Sequence, residues 1–492
     1  MRVGVLCYAL RHMFAAPSPF SLVLFGASGH LAQIKLYPAL YILALKKRLP
    51  EQYAIVGFSR SAMDDGAFRS LVADAVHTHV PAVNESVLTA MLEHVHYYKG
   101  EYDSPDDFTA LAKILKNLEK RWSGIVRLMY FSVPPSVFSA VGKNLCKGGV
   151  HTPEIPLRCI VEKPVGNDQE SFQAIRDALI GCFREEEIYL LDHYLGKEAV
   201  RNIYYLRYAN PVVETLLANA LIHHVEITSF EAAGIEGRAG YFEHAGTLRD
   251  MFQSHMLMVA SLLTMPLVET EQSIPKSRFG ALKQFYLPPA KNLNTVILQG
   301  QYDAGEVHSS TVPAYQEEEG VATDSRTNTF IALKLLSRAS RWQGVPFYLR
   351  SGKRLEKKET RISIQFQEPT EVGEGANPNC LHIILQGEAG MRLHLQTKMG
   401  GTNPSFRALV LADPLVCMGD CLPEHSLMIL EAIHGKRHWF LSFNEVQTAW
   451  HLIDPLQAHL DEPTTALHHY PSGSKGPQEA DAWITQQGVT WH

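Results

Sequence analysis

No Cys-x-x-Cys pair occurs among the seven cysteines of this 492-residue chain. Their number is odd and their spacing scattered, so the pattern is neither that of a disulfide scaffold nor of a usual zinc site. Cys417, Cys421 and His425 recur every four residues. A metal there is conceivable, but the spacing is not a zinc pattern, and no metal is expected. The thiols read as reduced and mostly buried, the usage of a cytoplasmic protein. No apolar run approaches the length of about 20 residues that spans a bilayer, so no membrane partner is expected. Positive charge is not in excess: 45 Lys and Arg stand against 51 Asp and Glu, for a net charge of -6. That balance leaves no basic footprint for nucleic acid. An anionic ligand must therefore be met by a local cluster of Lys, Arg and His. Internal repeats and long low-complexity linkers are also missing.

What is present is globular. Hydrophobic content is 46% and charged content 20%, and a 55.0 kDa chain is too long for one ordinary core, so two or three domains are expected. Residues 1–16 carry Arg2, Arg11 and the apolar run Val3–Leu6. A signal peptide is conceivable, but Arg11 and His12 interrupt its core, and the segment reads as a short extension.

Ser21–Phe25 is an apolar run that ends in a Gly-containing turn, the mark of a buried parallel strand. A helical pattern follows through Leu31, Ile34, Leu36, Leu40 and Leu43, and then a second strand, Tyr53–Phe58. This is a βαβ unit. Arg127–Val133 and Arg158–Lys163 read as later strands of an open, doubly wound sheet. Beyond about Asp192 the texture changes. Strand-like stretches at Glu226–Phe230, Thr329–Leu335, Arg361–Phe366 and His382–Gln386, one of them clearly alternating, suit an antiparallel sheet with one face covered.

The turn Gly26-Ala27-Ser28-Gly29-His30-Leu31 lies between the first strand and the first helix. Gly26 permits the tight turn and Gly29 a close approach to a pyrophosphate, beside helix N–H groups that favour phosphate. Alone such a motif is weak; inside a βαβ unit it points to a dinucleotide. The second strand runs into Ser59-Arg60-Ser61 rather than an acid. A guanidinium there suits a ribose 2′-phosphate, so NADP is expected over NAD. Later, Asp192-His193-Tyr194-Leu195-Gly196-Lys197-Glu198 packs an anion site (His193, Tyr194, Lys197) beside a carboxylate, although polar loops also carry such residues by chance. His255 lies on a helix apolar on nearly every face through Leu263. By itself it reads as a satisfied core histidine. Leu349–Lys358 reads as a basic loop, for which a solvated face is the ordinary explanation.

The segment Asp192–Glu198 resembles the signature Asp-His-Tyr-Leu-Gly-Lys-Glu of the glucose-6-phosphate dehydrogenase family, and the resemblance runs from about Phe20 to the end of the chain. It implies three regions. Residues 1–19 form an N-terminal extension and 20–191 an NADP-binding Rossmann domain. Residues 192–492 form a larger α+β domain for substrate binding and dimerisation, on a mainly antiparallel sheet with helices on one face. It also implies oxidation of glucose 6-phosphate to 6-phosphogluconolactone by a homodimer or homotetramer. The resemblance assigns His255 as catalytic base and Asp192 as its orienting carboxylate. Substrate would be held by Lys163, His193, Tyr194, Lys197, Glu231, Asp250, Lys353, Lys358 and Gln386. Cofactor would be held by Gly26, Ala27, Ser28, Gly29, His30, Leu31, Lys35, Arg60 and Lys163, with Lys163 before a cis proline. Family members that bind a second, structural NADP have cations where this chain has Glu359 and Ser363, so none is expected here. Two departures stand out: His30 replaces an acid, and Leu190 stands where the family has arginine. They leave two other readings open, a relaxed hexose or hexose-phosphate dehydrogenase and a weakly active binding or regulatory homologue.

Overall fold

The structure is a computed structural model that describes residues 17–369, 376–402, 405–414, 417 and 419–492. The signal-peptide and extension readings of residues 1–16 lie outside the described residues. The described residues fall into two compact units: those within 17–166, 170–196 and 420–443 form the first, and those within 167–169, 197–419 and 444–492 the second.

The first unit is built on six parallel strands: β1 Phe20–Phe25, β2 Tyr53–Ser59, β3 Val95–Lys99, β4 Val126–Phe131, β5 Leu157–Glu162 and β6 Ile188–Leu191. All six residues of β1 are buried, as expected of a central strand covered on both faces. The order is β3-β2-β1-β4-β5-β6, the Rossmann order, in which the direction of winding reverses between β1 and β4. In sheets of this order, ligands bind outside the carboxyl ends of the strands at that reversal. Residues 420–443 fold onto this unit. Ser426 Oγ donates to Ala39 O at 3.1 Å and Leu441 N to Leu190 O at 2.9 Å. Gly196 lies so close to the helix Glu424–His434 that a Cβ would stand 3.0 Å from Glu424 O. The sequence reading closes the first domain at residue 191; the compact unit also takes in Asp192–Gly196 and this later segment.

The second unit holds β7 Ile222–Phe230, β8 Phe285–Tyr286, β9 Ile297–Asp303, β10 Gly305–Val307, β11 Ser310–Val312, β12 Phe330–Ser337, β13 Phe347–Gly352, β14 Glu359–Phe366, β15 Cys380–Gln386, β16 Gly390–Lys398, β17 Phe406–Pro414 and β18 His468–Pro471. Ten of these make one sheet, ordered β17-β16-β15-β14-β7-β13-β12-β9-β18 with β8 beside β12. The sheet is mainly antiparallel, with parallel pairs at β7–β13 and β9–β18. Leu349–Gly352, expected in a loop, finishes β13 instead. Its residues, Arg350 included, are buried and continue the strand, and the chain becomes exposed only at Lys357 and Lys358. An aromatic core of Phe230, Tyr302, Tyr315, Phe330, Tyr348, Tyr470 and Trp483 fixes this end of the sheet.

Among the described residues no helix is long and apolar enough to cross a membrane. Cys146, Cys159, Cys182 and Cys380 are free thiols, but Cys417 and Cys421 are disulfide-bonded. This corrects the expectation of reduced thiols throughout, and it takes two donors from the conceivable metal spacing with His425. That histidine lies 3.4 Å from Glu162.

Candidate functional site

In the first unit the loop after β1 is shaped by backbone demands. Gly26 has φ +81°, and a Cβ there would lie 2.1 Å from Ser132 O, so only glycine fits. Its N–H donates to Phe58 O at 2.9 Å, which ties the loop to the end of β2. Ala27 is buried, while Ser28, Gly29, His30 and Leu31 are at least partly open. Ser28 Oγ lies 3.0 Å from both Ser59 Oγ and Ser61 Oγ. Tyr97 Oη donates to Ser61 O at 2.5 Å, holding the strand end. Arg60 is exposed, its guanidinium 5.8 Å from the Tyr102 ring centre. A cation and three clustered hydroxyls thus meet at the end of β2, with no carboxylate among residues 59–61. This donor set fits a 2′-phosphate. Lys35 is exposed and 3.6 Å from Glu424.

At the far end of the same sheet edge, Lys163 follows β5, and its bond to Pro164 is cis. Asp192 follows β6 and is 1% exposed; its Oδ1 accepts from Tyr194 N at 2.8 Å. The chain then turns through Leu195 N to Asp192 O and Gly196 N to His193 O. His193 packs edge-on to the buried Tyr194, with ring centres 5.2 Å apart.

The second unit gathers its candidate residues by strand register. β7 and β13 run parallel and end together at Phe230 and Gly352. β14 runs the other way and starts there, and Thr360 pairs with Gln386 at the end of β15. Glu231, Lys353, Lys358, Thr360 and Gln386 therefore share one end of the sheet. Lys353 is 3% exposed, and its Nζ meets Glu231 Oε2 at 2.5 Å and Asp250 Oδ2 at 3.9 Å. A buried ammonium needs such partners. Two carboxylates against one amine leave acceptor capacity turned to solvent, since Glu231 keeps 34% and Asp250 17% side-chain exposure. Lys197 Nζ donates to Gln386 Oε1 at 3.3 Å, and Lys358 is exposed.

Asp250 and His255 come from a helical stretch with two windings. Leu248–Met256 is π-helical and Leu257–Thr264 is α-helical. At 3.6 residues per turn, side chains five apart point about 140° from each other. In a helix closed by i to i+5 bonds they lie one above the other, so Asp250 and His255 share a face. The winding begins two residues after Gly246, whose φ of +57° and ψ of 176° break the preceding helix. Asn328 secures the break, with Thr247 N donating to its O at 2.9 Å and Leu248 N to its Oδ1 at 3.2 Å. His255 is 3% exposed, and its Nδ1 lies 3.4 Å from Ser254 Oγ.

Several residues escaped the sequence reading. Tyr241 donates to Asp250 Oδ1 at 3.2 Å, and burial together with that carboxylate pushes its phenol well above the usual range. The Gly246 break between them hides this pair from any periodicity. Gln253 is 5% exposed with no partner for Nε2 among the described residues; a lone amide in an apolar helix was the available signal. Two segments to which no role was assigned prove to be supports. Tyr470 Oη donates to Lys353 O at 2.8 Å. Glu318 accepts from Arg354 Nη2 at 2.9 Å and Tyr302 Oη at 2.8 Å. Together they fix the loop that carries Lys353.

Residues 23–202 match the family model for the glucose-6-phosphate dehydrogenase NAD-binding domain, and 204–492 that for its C-terminal domain. Glucose-6-phosphate 1-dehydrogenase of Bacillus subtilis is 33% identical, the match covering 96% of this chain and 97% of that protein. The Chlamydia pneumoniae protein of the same name is 35% identical over 96% of both. A solved glucose-6-phosphate dehydrogenase in complex with its substrate glucose 6-phosphate superposes with a TM-score of 0.89 at 30% identity. That match covers 98% of this chain and 100% of the other.

Proposed function

The chain belongs to the glucose-6-phosphate dehydrogenase family, and from that membership we propose that it oxidises D-glucose 6-phosphate to 6-phospho-D-glucono-1,5-lactone with NADP+, the first step of the oxidative pentose phosphate pathway. The observation that carries this reading is the strand-end cluster of Lys353, Glu231 and Asp250, with the buried His255 on the face of Asp250. It combines acceptors for sugar hydroxyls with a shielded imidazole.

The nicotinamide cofactor, when bound, supplies the hydride acceptor. The rest is done by side chains. His255 takes the proton of the C1 hydroxyl as the C1–H bond gives up its hydrogen with its electron pair, so C1 becomes the lactone carbonyl, and one hydride and one proton leave the sugar. Asp192 is the carboxylate proposed to orient and charge-stabilise that base. Glu231 and Asp250 each accept from sugar hydroxyls, and Lys353 holds both carboxylates in place. Gln386 fixes Lys197 as well as facing the sugar. His193, Tyr194, Lys197 and Lys358 provide the phosphate site, and Lys163 spans cofactor and sugar. Gly26–Leu31 cradle the pyrophosphate, Lys35 lies close to the reacting centre, and Arg60 with Ser28 reads the 2′-phosphate. In this scheme residues 20–191 serve the cofactor and 192–492 the substrate and self-association, in a cytoplasmic homodimer or homotetramer.

The test is absorbance of reduced cofactor on mixing the protein with glucose 6-phosphate or glucose and NADP+ or NAD+. Turnover fastest with glucose 6-phosphate and NADP+ supports the scheme. Equal rates with unphosphorylated glucose indicate a relaxed hexose dehydrogenase, and no turnover indicates a binding homologue.

A further inference from the structure

Strand register also builds a second cluster, on one face of the large sheet. Ser363 of β14 stands opposite Glu226 of β7 and His382 of β15, while Gln365 stands opposite His224 and Cys380. Across the next strand, Cys380 faces His394. His492 covers this patch. Its N–H donates to Glu226 Oε2 at 3.1 Å, and its carbonyl accepts from Arg350 at 3.0 Å and Arg361 at 2.6 Å. These anchors hold the His492 ring against the sheet. Its Nε2 lies 3.7 Å from Cys380 Sγ, which is itself 3.8 Å from His382 Nδ1. Ligand-capable atoms of Cys380, His382 and His492 lie within 4.8 Å of one another, as do those of His224, Glu226 and His492.

Tetrahedral zinc with Zn–S near 2.3 Å and Zn–N near 2.0–2.1 Å places sulfur and nitrogen ligands about 3.6 Å apart. The two observed sulfur–nitrogen separations are within about 0.2 Å of that edge. We propose that Cys380, His382 and His492 form a binding site for a borderline-soft divalent ion of the zinc class, with Glu226 as the fourth ligand. Glu226 is fully buried, and its Oε1 lies 4.0 Å from His492 Nε2. One thiolate and one carboxylate balance the charge of a divalent ion. Sulfur with two imidazoles selects zinc-like ions over magnesium or calcium, which prefer oxygen. His224 donates to Glu226 Oε1 at 3.1 Å, the kind of outer contact that orients a metal-binding carboxylate. Ser363 and Gln365, now hydrogen-bonded to His382 and His492, satisfy both rings when no metal is bound. The side chain of His492 is 31% exposed, which leaves a path from solvent. This site is separate from the proposed dehydrogenase residues and does not depend on their roles.

Cobalt(II) is the probe, because thiolate ligation gives it a charge-transfer absorption that nitrogen or oxygen ligation lacks. Chelator-treated full-length protein should bind one equivalent with that band, release about one proton from Cys380, and lose the band on adding zinc. Cys380→Ser should abolish the band, and His382→Gln should weaken binding at least about tenfold, while Cys146→Ser leaves both unchanged. Circular dichroism checks that each variant is folded. Wild-type protein with no thiolate band overturns the proposal without any variant. So does a band that survives Cys380→Ser or disappears in Cys146→Ser. In those cases the cluster is a set of weak S–H···N contacts only.

Discussion

Arg60 offers the sharpest test of cofactor choice. It is exposed at the end of β2, beside the linked hydroxyls of Ser28, Ser59 and Ser61. A hydrogen bond to a charged group contributes about 1.5–3 kcal/mol, and solvent screening at an exposed position favours the lower figure. At 1.4 kcal/mol per factor of ten, Arg60→Ala should lower kcat/KM for NADP+ about tenfold. The serine hydroxyls remain as donors, so binding is weakened and not lost. NAD+ has no 2′-phosphate and should lose at most the small stacking contribution of the guanidinium. Steady-state kinetics with each cofactor at saturating glucose 6-phosphate gives the ratio, and raising the salt concentration should shrink the difference in the wild-type protein. Equal losses for both cofactors would show that Arg60 is only a surface residue and that the β2 end does not discriminate.

Other outcomes follow from the same geometry. His255→Asn should cut kcat by about 10²–10⁴-fold with substrate affinity nearly intact; near-normal turnover would remove His255 as the base. Lys197→Ala should raise KM for glucose 6-phosphate strongly while sparing any activity on glucose, and equal effects on both would refute the phosphate role. Gly246→Ala must hold a backbone region open mainly to glycine and brings a Cβ 2.9 Å from Asn328 Oδ1. A cost of about 1–3 kcal/mol is expected, with kcat falling further than thermal stability explains, because the π winding places Asp250 and His255 on one face. Unchanged kcat in a folded variant would show that this winding is not needed. Arg278 and Glu445 are both fully buried and 2.6 Å apart, so Glu445→Ala should cost about 3–5 kcal/mol, read as a lowered denaturation midpoint; no shift would mean the pair is not structural.

Local chemistry explains what was legible in advance. The βαβ unit, the glycine turn and the Ser59-Arg60-Ser61 strand end are all set within some forty residues, where propensity and spacing act directly. Four of the six parallel strands, β1, β2, β4 and β5, were legible as mainly apolar runs, whereas the half-buried β3, Val95–Lys99, and the four-residue β6 were not. The Asp192–Glu198 segment concentrates unusual chemistry in consecutive positions, so it announces itself.

Tertiary structure decided what depends on distant partners. Only strand register places Glu231, Lys353, Thr360 and Gln386 at one end of the sheet, because their separations in sequence carry no period. Only the Gly246 break, secured by Asn328 eighty residues on, sets the winding that puts Asp250 and His255 on one face; an ordinary helix would turn them apart. The supports at Tyr470 and Glu318 act through backbone and loop contacts that leave no motif. The return of residues 420–443 to the first unit rests on packing against helices and strands long past. The sequence by itself determined which chemistry the chain carries, because side-chain identity and short-range spacing are local properties. The fold alone decided which of those side chains meet, because hydrogen-bond register and packing are settled between segments hundreds of residues apart.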